Sequence, residues 1–145
     1  MRLALELAAE AEAGGEVPVG AVVVKAGEVI GEGRNAPLTS KDPTAHAEII
    51  ALRAAAEITG PRLDDCDIYV TMEPCAMCAG ALVVARIRRL VFGTRDLRFG
   101  AVRSKFRIAD SEILNHRVEV VEGMLAAECL EPLQRFFAAR RRVLP

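Results

Sequence analysis

Apolar positions at the start of the chain recur at helical spacing. Leu3, Leu7 and Ala11 share one face, which predicts a helix over residues 3–13, stopped by Gly14-Gly15. Val19 to Lys25 is a strongly apolar run and reads as a strand. Ala26-Gly27 suits a hairpin turn, and Glu28 to Arg34 returns as a second strand carrying Val29 and Ile30. Asn35 to Asp42 reads as a loop. Asp42 suits an N-cap and Pro43 the first helical position, so a helix is expected from there to about Ile58, ended by Gly60-Pro61. Asp67 to Thr71 reads as a buried strand. Glu73-Pro74 opens a second helix by the same proline rule, covering Cys75 to about Arg86. Arg89 to Phe92 is the next strand, closed by Gly93. Gly100 to Asn115 shows no readable pattern. Arg117 to Val121 is a short strand, and Gly123 to Arg142 is helical, with Pro132 expected to kink that helix or start a new one. Strands alternating with helices predict an α/β chain with right-handed crossovers and helices on both faces of the sheet. The opening hairpin makes the sheet mixed.

Composition narrows the class. With 145 residues the chain suits one domain over residues 1–145, burying about 68–70% of its unfolded surface. Hydrophobic residues make up 52% and charged residues 27%, which excludes a disordered chain. No apolar run approaches the ~20 residues that span a bilayer. Glu6, Glu10 and Glu12 interrupt the N-terminal segment, so no secretory leader is expected there. Four cysteines without a leader point to a reducing, cytoplasmic compartment, where cysteine suggests metal binding or catalysis before a disulfide.

The net charge of −1 conceals an asymmetry. Residues 1–85 hold 6 Lys and Arg against 13 Asp and Glu, whereas residues 86–145 hold 13 against 7. Between Arg86 and Arg107, Arg86, Arg88, Arg89, Arg95, Arg98, Arg103, Lys105 and Arg107 face Asp96 alone, and the tail adds Arg135, Arg140, Arg141 and Arg142. Such a segment is either a solvated face or a phosphate-binding surface.

Two segments carry chemistry: Thr44-Ala45-His46-Ala47-Glu48 and Glu73-Pro74-Cys75-Ala76-Met77-Cys78. Each lies at a predicted helix start, where free N–H groups and the helix dipole favour thiolates. Cys75 and Cys78, three residues apart, form half of a tetrahedral zinc site, and His46 can supply a third ligand. Cys66, Cys129 and His116 are poor candidates for a fourth. Three protein ligands leave one position for water, which is the catalytic pattern. Glu48 lies about 200° round a helix from His46, so the two can converge only on an object just off the helix end. That geometry suits a general base beside an activated water. Two other readings stay open at this point. The C-x-x-C could be a redox pair, and Cys66 or Cys129 could close a structural zinc site.

The conjunction H-x-E…P-C-x-x-C resembles the signature of the zinc-dependent base and nucleoside deaminases, so that chemistry is assigned by resemblance. The likeness extends further. Glu16 to Val22 (EVPVGAV), Asp42 to Ile49 (DPTAHAEI), Tyr69 to Gly80 (YVTMEPCAMCAG), Val91-Phe-Gly93 with Arg95-Asp96, Asn115 to Glu119 (NHRVE), and Phe136-Phe137 with Arg140-Arg141-Arg142 all resemble the bacterial tRNA-specific adenosine deaminases of the cytidine/deoxycytidylate deaminase superfamily. That family implies a three-layer, five-stranded mixed sheet flanked by helices and a homodimer with one zinc per subunit. It also implies conversion of adenosine to inosine at the wobble position of an arginine tRNA anticodon, with no membrane and no DNA partner. By position, His46, Cys75 and Cys78 resemble the zinc ligands and Glu48 the proton shuttle. Asn35 resembles the contact to the flipped nucleotide and Asp96 the contact to a neighbouring ribose. Phe136 and Phe137 resemble the part of the last helix that touches the loop. The chain departs from the pattern two residues after Asp96, where Arg98, followed by Phe99, stands in place of the usual lysine. It also begins a few residues later than is usual. On this footing the basic segment is expected to bind anticodon phosphates. The alternatives are a deaminase of free guanine, cytosine or a nucleotide, and an RNA-binding module with a structural zinc.

Overall fold

A computed structural model describes residues 1–141; Arg142, read above as part of the basic tail, lies outside the described residues. The first helix, α1 (Arg2–Ala13), buries Ala4, Leu7, Ala8 and Ala11, the face that its spacing predicts. Strands β1 (Gly20–Lys25) and β2 (Glu28–Arg34) form an antiparallel hairpin. Its turn residues Ala26 and Gly27 both have positive φ, as a two-residue primed turn requires. A short helix α2 (Pro37–Ser40) and a longer α3 (Ala47–Thr59) follow. Then come β3 (Cys66–Met72), α4 (Ala76–Ala85), β4 (Arg89–Thr94), β5 (Glu119–Glu122) and α5 (Ala126–Arg141).

The strands assemble in the order β2-β1-β3-β4-β5. β1 pairs antiparallel with both β2 and β3, while β3–β4 and β4–β5 are parallel. This is the five-stranded mixed sheet implied above. Alternation along β1 divides its side chains between two helical layers. Ala21 and Val23 join the main core with Ala47, Ala51 and Ala55 of α3 and with Ala79 and Leu82 of α4. Val22 points the other way, onto Ala4 and Leu7 of α1. The last helix, α5, is tied to α1 through Arg135, whose guanidinium donates twice to the Glu12 carboxylate at 3.0 and 2.8 Å.

Several boundaries depart from expectation. Helix α3 starts at Ala47, because the Asp42 carboxylate binds locally, accepting the Thr44 N–H (2.9 Å) and hydroxyl (2.7 Å). This is the competition between side chain and helix that aspartate often wins. The expected loop 35–42 contains α2, whose first amides are capped by the buried Glu16 carboxylate through Leu38 (3.2 Å) and Thr39 (2.7 Å). Gly93 continues β4, and β5 begins two residues later than predicted. No new helix starts at Pro132; α5 runs through it. The unreadable stretch after Gly100 forms turns that bury Ala101, Val102 and Ala109.

Glycine sets how closely α3 approaches the sheet. A Cβ on Gly33 would collide with the Ala47 carbonyl and the Ala51 amide, and one on Gly31 with the Ala51 carbonyl and Ala55. The helix therefore lies flush on β2 with its backbone against the strand. We expect Gly33→Ala to destabilise the protein by about 1–3 kcal/mol through overpacking. Urea denaturation reads this as a lower midpoint, and an unchanged midpoint would mean that α3 is not seated there.

Candidate active site

Helices α3 and α4 begin alike. The N-cap of α3 is His46 (φ −77°, ψ 151°) and that of α4 is Cys75 (φ −74°, ψ 179°), both in extended backbone. Neither side chain caps its own helix, so each can reach beyond the helix mouth. The two mouths face each other. His46 Nδ1 lies 3.5 Å from Cys75 Sγ and 3.4 Å from Cys78 Sγ. The three donor atoms lie within 4.8 Å of one another and form the cluster able to hold a metal among the described residues.

The spacing can be tested against zinc. With Zn–S near 2.3 Å and Zn–N near 2.0–2.1 Å, a tetrahedral centre has N···S edges of roughly 3.5 Å. The observed distances match that edge. The chemistry of the donors points the same way. The Cys75 thiol is drawn down to about 4, first by its hydrogen bond with Cys78 and, against the effect of burial, by His46. Cys78 is pushed far up by the same contact, by burial and by the Glu48 carboxylate. Two sulfurs thus compete over one proton, a conflict that a divalent cation removes by accepting both as thiolates. The His46 pKa is raised, chiefly by its hydrogen bond to Cys75 and against the effect of burial.

Glu48 is the second residue of α3, is 4% exposed and stands outside the donor cluster. Burial raises its pKa, opposed by its own backbone amide and reinforced by the charge on Cys75. A carboxylate held in this way is suited to pick up and release a proton. The 200° separation expected between His46 and Glu48 does not apply, because His46 precedes the helix and Glu48 lies inside it. The two converge on the space off the end of α3.

That space is a cavity of about 430 Å³ with His46, Glu48 and Cys75 in its wall. Asn35, Asp96 and Phe137 also line it. Asp96 also shapes its own loop, since its Oδ1 accepts the N–H groups of Arg98 and Phe99, both at 3.1 Å. A second cavity of about 610 Å³ adjoins the first, sharing Met72, Asp96, Phe99 and Phe137. Arg98 lines only this second cavity, with Arg95 and Arg141. The Arg98 guanidinium stands 5.5 Å from the Phe99 ring centroid.

Two expectations need correction. Phe136 does not share the surface position of Phe137. It is buried, packs edge-to-face on Phe137 at 5.4 Å and lies beneath the Arg140 guanidinium, 3.4 Å from the ring centroid. The basic segment is not one continuous surface either. Arg88 is bound bidentately to Asp67 (2.9 and 3.0 Å), Arg89 to Glu119 (3.1 Å), Arg95 to Glu122 (2.8 Å) and Arg103 to Asp110 (3.1 and 3.0 Å). Arg88 and Arg89 also lie at the wrong end of β4. In the β3–β4 ladder Asp67 faces Arg89 and Met72 faces Thr94, which puts them about 16 Å along the strands from the site.

Other readings lose support. Cys66 and Cys129 are buried apart from the cluster, and His116 Nε2 lies 2.7 Å from the Ile87 carbonyl, so none of them closes a fourth ligand position. A redox dithiol would leave the His46 contacts without a role. Sequence reasoning did not single out Val17, Val19, Met72, Glu73 or Phe99 as lining residues. Val17, Val19, Met72 and Glu73 do fall inside the segments that carry the resemblance, and Phe99 stands beside the departure at Arg98.

Comparison with known proteins agrees with this geometry. Residues 1–94 match the family model of the cytidine and deoxycytidylate deaminase zinc-binding region. The chain is 54% identical over 143 residues to a tRNA-specific adenosine deaminase of Haemophilus influenzae, covering 97% of this chain and 83% of that protein. A solved structure from a study of A-to-I editing by tRNA:A34 deaminases superposes with a TM-score of 0.88 at 45% identity, covering 92% of this chain and 97% of that one. A guanine deaminase from Nitrosomonas europaea superposes at 0.79 with 26% identity, covering 94% and 82%. The chain therefore belongs to the zinc-binding cytidine and deoxycytidylate deaminase family and, within it, to the tRNA-specific adenosine deaminases.

Proposed function

We infer that this chain is a zinc-dependent hydrolytic deaminase that converts adenosine to inosine at the wobble position (34) of a tRNA anticodon. The observation that carries it is the buried Glu48 carboxylate beside a three-donor cluster in a cavity wall. A structural zinc has no use for such a carboxylate. His46, Cys75 and Cys78 would hold the ion, which when bound would supply the Lewis acidity that brings water within reach of deprotonation near neutral pH. Glu48 accepts the proton of the attacking water and delivers it to N1 of adenine as the oxygen bonds to C6. It then transfers the second proton to the leaving amine. Ammonia departs and C6 keeps a carbonyl oxygen, so one water is consumed per turnover.

The flipped nucleoside enters between Asn35, which offers a donor and an acceptor, and the aromatic rim of Phe99 and Phe137. Among the described residues the hydrogen bonds to the Asp96 carboxylate go to Oδ1, which leaves Oδ2 for a ribose hydroxyl, and Arg98 and Arg141 line the cavity where the neighbouring phosphates would lie. A single-stranded loop needs little unpairing to present its base this way. We assign an arginine tRNA as substrate and a homodimer as the working form. Exposed Met77 and Val84 on α4 leave an apolar strip that suits a second copy. Among the described residues no helix is long and apolar enough to cross a membrane, and a cytoplasmic location accords with a tRNA substrate.

A second reading is a deaminase of a free base, guanine or cytosine. The guanine deaminase scaffold, superposing at 0.79, favours it. The adjoining cavity beside Arg98 and Arg141 favours RNA, since a free base has no phosphates for a second, cation-lined cavity. Assaying ammonia release from an anticodon stem-loop beside free guanine, cytosine and adenosine separates the two.

Two outcomes test the site. Glu48→Ala retains zinc and loses about 10²–10⁴-fold in kcat, whereas Cys75→Ala loses the zinc itself. Metal analysis beside turnover checks this, and equal metal loss in both variants contradicts separate roles. In filter binding to the stem-loop, Arg98→Ala weakens affinity and lowers the salt slope by about one. Arg88→Ala, locked to Asp67 at the far end of β4, leaves both unchanged. Equal effects from the two arginines would restore a continuous basic surface.

A further inference from the structure

One buried carboxylate beside the site has no part in the proton transfers above. Glu73 is 3% exposed and lies between the end of β3 and the metal donor Cys75. Its Oε1 accepts the Asp96 N–H (3.1 Å) and the Ser104 hydroxyl (2.5 Å). Its Oε2 accepts the N–H groups of Val102 (3.0 Å), Arg103 (2.8 Å) and Ser104 (2.9 Å). Five donors on two oxygens leave no lone pair for a substrate.

These bonds gather residues 96–104 around one point. Within that segment, Gly100 forms an isolated antiparallel bridge with Cys75, and the Ala101 N–H donates to the Pro74 carbonyl at 2.9 Å. A Cβ on Gly100 would collide with the Glu73 carboxylate, so glycine is what lets the segment close on it. The same segment presents Asp96 and Phe99 to the reaction cavity and Leu97 and Arg98 to the adjoining one. It has no regular secondary structure to satisfy its amides, and an orphaned buried N–H is costly.

We propose that Glu73 is the positioning residue for RNA: it fixes the 96–104 loop against the Cys75 backbone and so sets substrate affinity without touching the reacting atoms. This rests on the tRNA reading above. Glu73→Gln is nearly isosteric, but its amide nitrogen turns two or three of the five acceptor contacts into donor–donor clashes. Ser104→Ala removes one contact and leaves the carboxylate in place.

The test is steady-state kinetics on an anticodon stem-loop with zinc counted per chain. Glu73→Gln should raise KM about tenfold and Ser104→Ala about threefold, the worth of one or two hydrogen bonds. In both, kcat should stay within twofold and one zinc should remain. A folded, active Glu73→Gln enzyme with unchanged KM overturns the proposal, even if its melting temperature falls. Loss of kcat and zinc together at unchanged KM also overturns it, placing Glu73 in the metal centre. If Glu73→Gln yields no folded protein, Ser104→Ala decides: raised KM at constant kcat supports the proposal, and unchanged KM overturns it. Failure of the tRNA reading looks different, because the wild-type protein itself would leave the stem-loop untouched, and both would fall.

Discussion

The chemistry of this protein depends on two helix N-termini being held close enough for their side chains to meet, by a sheet to which neither belongs. The imidazole at the mouth of α3 and the thiols at the mouth of α4 meet at 3.4–3.5 Å. β2 and β3, the strands preceding the two helices, are both neighbours of β1. They therefore stand two strand spacings apart, about 9.5 Å. Packed helices prefer axes 8–10 Å apart, so helices laid over β2 and β3 also pack against each other. Gly31 and Gly33 let α3, from its first turn at Ala47, lie directly on β2.

Electrostatics and burial act together at the meeting point. Both helix dipoles place partial positive charge there, which favours thiolates and carboxylates. The same burial that raises the pKa of Glu48 strengthens every charge–charge interaction around it. Away from this point the arginines are mostly matched. Arg88, Arg89, Arg95 and Arg103 each hold a carboxylate, which leaves fewer cations for a polyanion than the composition suggests. Partly exposed pairs of this kind contribute little to stability, so their main effect is to localise the field near the rim.

On the proposed function, the reacting groups and the rim that receives the substrate come from different parts of the molecule. The metal donors and Glu48 lie on rigid helix starts. The rim is irregular backbone between β4 and β5, satisfied through one carboxylate, together with one face of α5. A guanine deaminase shares the scaffold at 26% identity, which fits a general pattern in which a fold fixes the chemistry and grafted loops choose the substrate.

Much of this was legible in local patterns. The period of α1, the Ala26-Gly27 hairpin, the apolar run of β3 and the donor spacing of His46, Cys75 and Cys78 are short-range signals, and the fold kept them. The start of α3 was misread because Asp42 could cap a helix or close a turn on Thr44, and the nearby sequence suits both. Phe136 and Phe137 are about 100° apart on one helix, and only the docking of α5 decides which faces the core. The pairing of Arg88 with Asp67, and of Glu73 with Val102, Arg103 and Ser104, joins residues 21 to 31 positions apart. The sequence alone determined most of the elements, though not α2, and which side chains can ligate, because those properties depend on backbone propensity and donor chemistry within a few residues. Tertiary structure decided which charges are already paired and which carboxylates, Glu48 and Glu73 among them, are buried beside the donor cluster, because both depend on neighbours that only the packed sheet brings together.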